Sequence, residues 1–219
     1  MSIPGAASPL FLATTAGAAG GFEISRSIRI NDDDTAYFNR TPSSGSNRKT
    51  WTWSAWIKRG KISSEACIFT AGSGTANTIR FNGNDTMKVN AGSDGSVETV
   101  AVFRDPSAWY SIIVVLDTTQ ATASDRLKIY VNSVLQAVTG TYPTQNSDGS
   151  YNEASVHYLG RQVHNTANLF DGCLAEINFV DGSALDPTSF GETDDNGVWQ
   201  GIDTAGLSFG TNGFRLKFA

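Results

Sequence analysis

Glu176, Asn178 and Asp181 fall within one short run, EINFVD at 176–181, where apolar and polar residues alternate. Paired carboxylates are the working groups of glycoside hydrolysis, acting as acid and nucleophile about 5 Å apart in retaining enzymes. Strand alternation puts Glu176 and Asn178 on one face, away from Ala175, Ile177 and Phe179. Asp181 is out of phase with them and precedes Gly182, so it falls more naturally in a turn. Acid and nucleophile pairs work within sub-ångström tolerances that such an offset does not meet. The expectation is therefore no catalytic residue here. Glu176 and Asn178 suit hydrogen bonding to sugar hydroxyls better.

Sugar recognition needs aromatic rings for pyranose faces, with amides and carboxylates around them. The candidate carbohydrate-binding set is Trp56, Tyr151 and Trp199, together with Glu176 and Asn178. Other chemistry is poorly provided for. His157 and His164 form no H-x-x-x-H pair, and no G-x-S-x-G elbow precedes them. His157 sits in a strand pattern as a structural histidine, and His164 in a polar loop faces solvent. SSGSNRKT has the flavour of a phosphate loop but lacks G-K-[ST], and reads as a hairpin loop.

Those residues need a scaffold, and the composition limits what it is. The chain has 219 residues, 40% hydrophobic and 17% charged, with 22 glycines and 12 phenylalanines, which suits one sizeable all-β domain. A formal net charge of −5 and a single small basic cluster, Arg48 to Lys61, argue against nucleic acid as a partner. No apolar run approaches the ~20 residues of a membrane span. The two cysteines are too few for a disulfide framework, and Cys173 is in phase with Ala175, Ile177 and Phe179, pointing into the core. The opening MSIPGAASPLFLATTAGAAGG imitates a signal peptide, yet the first basic residue is Arg26. Residues 1–23 are read as an extended arm, which cannot bury Leu10, Phe11 and Leu12 unaided.

From Ile24 onward short strands follow one another. SIRI and AYF suggest an opening strand pair. WTWSAWIK puts Trp51, Trp53, Ala55 and Ile57 on one face and Trp56 on the other. WYSIIVVLD reads as a strand buried on both sides, and DRLKIYVN turns through NS into VLQAV. CLAEINFV and a closing GFRLKF, with Phe214, Leu216 and Phe218 in phase, come later. LDPTSF is the one helical hint, with Asp186 as cap and Pro187 in the first turn. Regular strands with turn punctuation and no intervening helices mean a sandwich or jelly roll.

TWTWSAWIKR, WYSIIVVLD, LKIYVN, LGR and FDGCLAEINFVDGSAL occur in the order and spacing of a laminin-G-like domain, and residues 25–190 resemble that concanavalin-type jelly roll. Sandwich-fold glucanases carry a strand reading Glu-Ile-Asp-x-x-Glu. Here Asn178 replaces the central acid, and Asp181 is a methylene shorter than the second. A narrower resemblance runs through FNRTPSSGSNRKTWTWSAWIKR, DTTQATASDRLKIYVN, TYPTQNSDGSYN and SFGETDDNGVW, to concanavalin-like proteins of tailed bacteriophages.

The resemblance implies an all-β, laminin-G-like jelly-roll sandwich of two antiparallel sheets over 24–219, termini near each other, behind an anchoring arm over 1–23. It implies a virion structural protein of fibre, spike or decoration type, assembled in the host cytoplasm and not an enzyme. Leu10, Phe11 and Leu12 would dock on other virion proteins, copies would associate as a homo-oligomer (a trimer by class), and the jelly roll would face a host-surface glycan. A purely architectural decoration protein and a glycan-degrading enzyme around Glu176 stand as alternatives. Laminin-G-like domains also bind calcium at the sandwich rim through loop oxygens. Asp32 to Asp34, Asp94, Asp117, Asp171, Asp194 and Asp195 offer such oxygens, with no ligand set defined.

Overall fold

In a computed structural model, residues 22–72, 77–163 and 168–218 are described. The arm residues Leu10, Phe11 and Leu12, and His164, lie outside them. The strands are numbered along the chain. Sheet A runs β1 (Ile28–Ile30), β13 (Gly172–Asp181), β3 (Thr50–Arg59), β8 (Tyr110–Asp117), β9 (Leu127–Val131), β10 (Val134–Leu135), and β16 (Phe214–Leu216) also pairs with β13. Sheet B runs β11 (Val138–Thr141), β7 (Gly95–Val102), β6 (Thr86–Ala91), β5 (Asn77–Phe81), β4 (Ala66–Ala71), β12 (His157–Leu159), β2 (Phe38–Arg40). A small hairpin, β14 (Gly191–Thr193) with β15 (Trp199–Gly201), stands apart. Every pairing is antiparallel. The fold is an all-β jelly-roll sandwich, and β1 and β16 share β13, so both ends of the described chain meet on one strand.

The expected alternation in β3 holds. Trp51, Trp53, Ala55 and Ile57 lie in the core between the sheets, and Trp56 points outward, half-buried. β8 is buried on both sides: Ile112, Val114 and Leu116 enter the main core, Ile113 and Val115 a second apolar cluster on the outer face of sheet A. The β9–β10 hairpin turns at Asn132 and Ser133, both with positive φ, as a primed turn requires. Two expectations fail. SIRI and AYF do not pair: β1 joins sheet A through β13, and β2 joins sheet B through β12. LDPTSF closes into one 3₁₀ turn, Pro187–Ser189, and the Asp186 side chain makes no capping bond.

At one end the sheets are clasped by charge. Arg59, buried at the end of β3, reaches Asp85 in the β5–β6 turn at 3.0 Å and lies 4.3 Å over the Phe81 ring. Burial alone would raise the Asp85 carboxyl. The Ser63 amide, Arg104 and Arg59 outweigh it and hold it below the usual carboxylate range.

Candidate functional site

The strand carrying EINFVD is interrupted. Its register against β3 shifts between Ala175 and Asn178, a bulge, and Glu176 sits there at φ 44°, a left-handed conformation costly for a residue with a Cβ. The bulge changes the phase of the strand. Upstream, Leu174 enters the core, whereas Cys173 lies opposite Lys58 and is partly exposed, so Cys173 does not point into the core as alternation alone implied. Downstream, Ile177 and Phe179 are core, and Glu176 and Asn178 face outward with Ala175. Asp181 is the last strand residue rather than a turn residue. It lies opposite Trp51 on the core-side face, where it accepts from Asn152 Nδ2 and the Asn212 amide, each at 2.9 Å. The two carboxylates of EINFVD are therefore on opposite faces of one sheet, each with its own partners.

On the outer face, Glu176 is 8% exposed and pairs with Arg215 Nε at 2.9 Å, and Arg215 reaches Asp203 at 2.7 Å. Asn178 is 2% exposed. Its amide donates to Ser54 Oγ and Glu176 O, and its oxygen accepts from Thr204 at 2.8 Å. Trp56, Ser111, Glu176, Asn178 and Thr204 border a cavity of about 10 Å³, room for one water. Above it Leu185, Phe190, Trp199, Leu207 and Phe209 pack with Ile113, Val115 and Val180 of sheet A. Trp199 belongs to this roof: it packs on that cluster, and a side chain at Gly191 would collide with its ring.

Trp56, Glu176 and Asn178 are thus brought together, but Glu176 is taken up by Arg215 and Asn178 by Ser54 and Thr204. Tyr151 is nowhere near them. It is fully buried in the main core, stacked 4.8 Å from Phe69 and edge-on to Trp51, with its hydroxyl donating to Phe69 O at 2.9 Å. Burial holds its phenol well above the ordinary range. As a sugar platform Tyr151 is ruled out by its position. His157 is structural, as expected: Nδ1–H donates to Ser155 O at 2.8 Å, Nε2 accepts from the Asn152 amide, and burial pushes its pKa down.

Several of the acidic loop residues have side-chain or backbone partners of their own, and Asp32 lies beside Asp171. Asp32 pairs with Lys61 and Asp171 with Arg29. Asp94 accepts from Thr144, Asp117 from Thr119 and Gln120, and Asp194 from Val198 and Asn196. Among the described residues no three Asp, Glu, His or Cys side chains converge.

The outer face of sheet B differs. Register places Asn39, Tyr158, Thr70, Thr78, Asn90, Ser96 and Thr141 in one transverse row on the face away from the core. Thr70 and Thr78 in its middle are buried, and the ends are open. At the β2–β12 end, Tyr37 is 39% exposed and meets Tyr158 edge-on at 5.5 Å. The Arg161 guanidinium lies 4.9 Å from both ring centres, and its Nε is buried without a hydrogen-bond partner among the described residues. Two aromatic rings, a half-buried guanidinium and the exposed Asn39 amide share one patch. That is the polar and aromatic mixture a hydroxyl-rich ligand requires. Sequence reasoning passed over Tyr37 and Arg161, because they are far apart along the chain and only the β2–β12 pairing joins them.

Residues 31–189 match the family model described as the concanavalin A-like lectin/glucanases superfamily. The chain belongs to this superfamily. A search of curated protein sequences finds no match. Among solved structures, it is similar to a Bacteroides ovatus protein described as a candidate carbohydrate-binding protein, at 17% identity and TM-score 0.53, covering 80% of this chain and 51% of that one. It is also similar to domains LG4-5 of the mouse laminin α1 chain, at 12% identity and TM-score 0.53, covering 74% of this chain and 43% of that one. The chain thus spans about half the length of these two structures, and at such identity the likeness speaks for fold alone.

Proposed function

We propose that this superfamily member is a glycan-binding module without hydrolytic activity, and that its ligand lies on the outer face of sheet B around Tyr37, Asn39, Tyr158 and Arg161. The observation that carries the reading is the half-exposed Tyr37 ring, edge-on to Tyr158 with the Arg161 guanidinium 4.9 Å from both ring centres. Binding rather than cleavage is supported by EINFVD, whose carboxylates sit on opposite faces of the sheet. The test is an array of neutral and acidic glycans, run with calcium and with chelator. Hits are expected, lost in Tyr37→Ala and kept in Trp56→Ala. A blank array would turn the weight to a purely architectural role. Glucan hydrolysis that vanishes in Glu176→Gln would overturn the non-enzymatic reading.

The setting we propose is the particle of a tailed bacteriophage, with the jelly roll displayed outward and copies associated, as a trimer by class. The sequence resemblance across TWTWSAWIKR, DTTQATASDRLKIYVN and SFGETDDNGVW supports this. Residues 1–23 act there as the docking arm. Deleting them is expected to abolish incorporation into particles, and normal incorporation of the truncated chain would overturn the arm's role.

A further inference from the structure

The mouth of the sandwich between β2 and β16 is not closed. Phe38, Leu159 and Phe69 from sheet B, with Phe214 and Leu216 from sheet A, line a groove of about 200 Å³ that is almost wholly apolar. Phe69 and Leu159 at its floor are core residues, whereas Phe38 on its lip is 43% exposed. Arg40 closes one end, bonded to Asn212 O and lying over the Phe214 ring, and Phe38 meets Phe218 at 6.2 Å. Among the described residues both bounding strands are free on their outer edges: β2 pairs only with β12, and β16 only with β13. An apolar cavity of about 150 Å³ is enough for a benzene ring, so this groove suits one aromatic or two aliphatic side chains carried by an added strand.

The chain supplies such a segment. Pro9-Leu10-Phe11-Leu12 is the one strongly apolar run within residues 1–21, and the Gly and Ala around it give it no core of its own. Phe22 lies 5.9 Å from the Arg215 guanidinium. Arg215 points to the outer face of sheet A, so the chain enters the domain facing away from its own groove. Leu12 is ten residues upstream. An extended stretch of that length reaches about 33 Å, against a radius of gyration of about 17 Å for a domain this size. A stretch of that length is long enough to reach past its own domain to a neighbour. We propose that the β2–β16 groove receives the Leu10–Leu12 segment of a neighbouring copy of this chain, so that the arm links subunits in series. This rests on the reading of residues 1–23 as a docking arm.

The test is hydrogen exchange and sedimentation on the full chain at low and high concentration, beside the triple variant L10D/F11D/L12D. In the wild type, peptides spanning 36–41 and 212–218 are expected to exchange about tenfold more slowly as the oligomer forms. The triple variant should stay monomeric and unprotected. Peptides from β8 should be equally protected throughout, which reports an intact fold in the variant. Concentration-independent protection in a monomer would mean the chain's own arm fills the groove, and overturns the proposal. So would an oligomer that survives the triple substitution, or no oligomer in the wild type. Virion incorporation separates the two readings. A triple variant that still enters particles defeats the arm itself. One that fails to enter, beside a wild type whose groove stays unprotected, defeats only the groove.

Discussion

The outer faces of the two sheets are made from similar residue types and put to opposite use. On sheet A, Glu176, Asn178, Ser54 and Thr204 bond to one another and to Arg215, and an apolar roof from Leu185 to Phe209 seals them in. On sheet B, Tyr37 and Asn39 remain exposed beside the Arg161 guanidinium. Polar groups buried on sheet A must find partners within the protein, because unpaired they cost about 1–3 kcal/mol each. Polar groups at the open end of sheet B keep water as a partner, and a ligand can replace it. A carboxylate and an amide on one strand therefore mark a site only if nothing else folds over them.

The comparison predicts that changes under the roof cost stability and leave binding alone. Glu176→Ala leaves the largely buried Arg215 with only the exposed Asp203 and is expected to lower stability by about 3 kcal/mol. Part of that loss is recoverable. Glycine accepts φ 44° freely, so Glu176→Gly should be about 1 kcal/mol less destabilised than Glu176→Ala. Denaturant melts of the two variants check both figures, and equal midpoints would mean the bulge carries no strain. Thr204→Val removes the donor to the buried Asn178 oxygen and should cost about 1–2 kcal/mol. Glycan binding by all three should match the parent.

Much of this architecture is legible in the sequence, and the bulge marks where legibility stops. WTWSAWIK, SIIVVL and LKIYV are regular strands, so period-two alternation sorts their faces correctly. EINFVD breaks the period at Glu176. Every side chain upstream of the bulge then lies opposite to its expected face, which is why Cys173 points outward. Asp181, downstream, keeps the phase of Ile177 and Phe179 and points inward. Tyr151 stands in a polar loop, and no local pattern shows that its ring returns to Trp51 and Phe69. The same long-range closure hid Tyr37 and Arg161, which meet only across the β2–β12 pairing.

His157 sharpens the contrast through pH. Its neutral ring bridges Ser155 and Asn152, and burial, with Arg40 adding to it and Glu153 opposing, holds its pKa below the ordinary 6.5. The unfolded chain therefore binds the proton more readily. The stability this residue contributes is complete above about 6.5 and is lost as pH falls through the lower folded value. His157→Gln should flatten that part of the pH–stability curve without touching the Tyr37 patch. An unchanged slope would assign the loss to carboxylates instead.

The smallest expected change in stability belongs to the open face. Tyr37 gives up a partly exposed ring and its edge contact with Tyr158, so Tyr37→Phe should stay within about 0.5 kcal/mol of the parent. Tyr37→Ala should cost at most about 1 kcal/mol. Ligand affinity should separate these variants where stability does not: alanine abolishes ring stacking, while phenylalanine keeps it and loses only the hydroxyl. If Tyr37→Ala bound glycan as well as the parent, or Glu176→Ala lost binding while still folded, the two faces would have exchanged roles. The roof of sheet A would then have to open to admit a ligand.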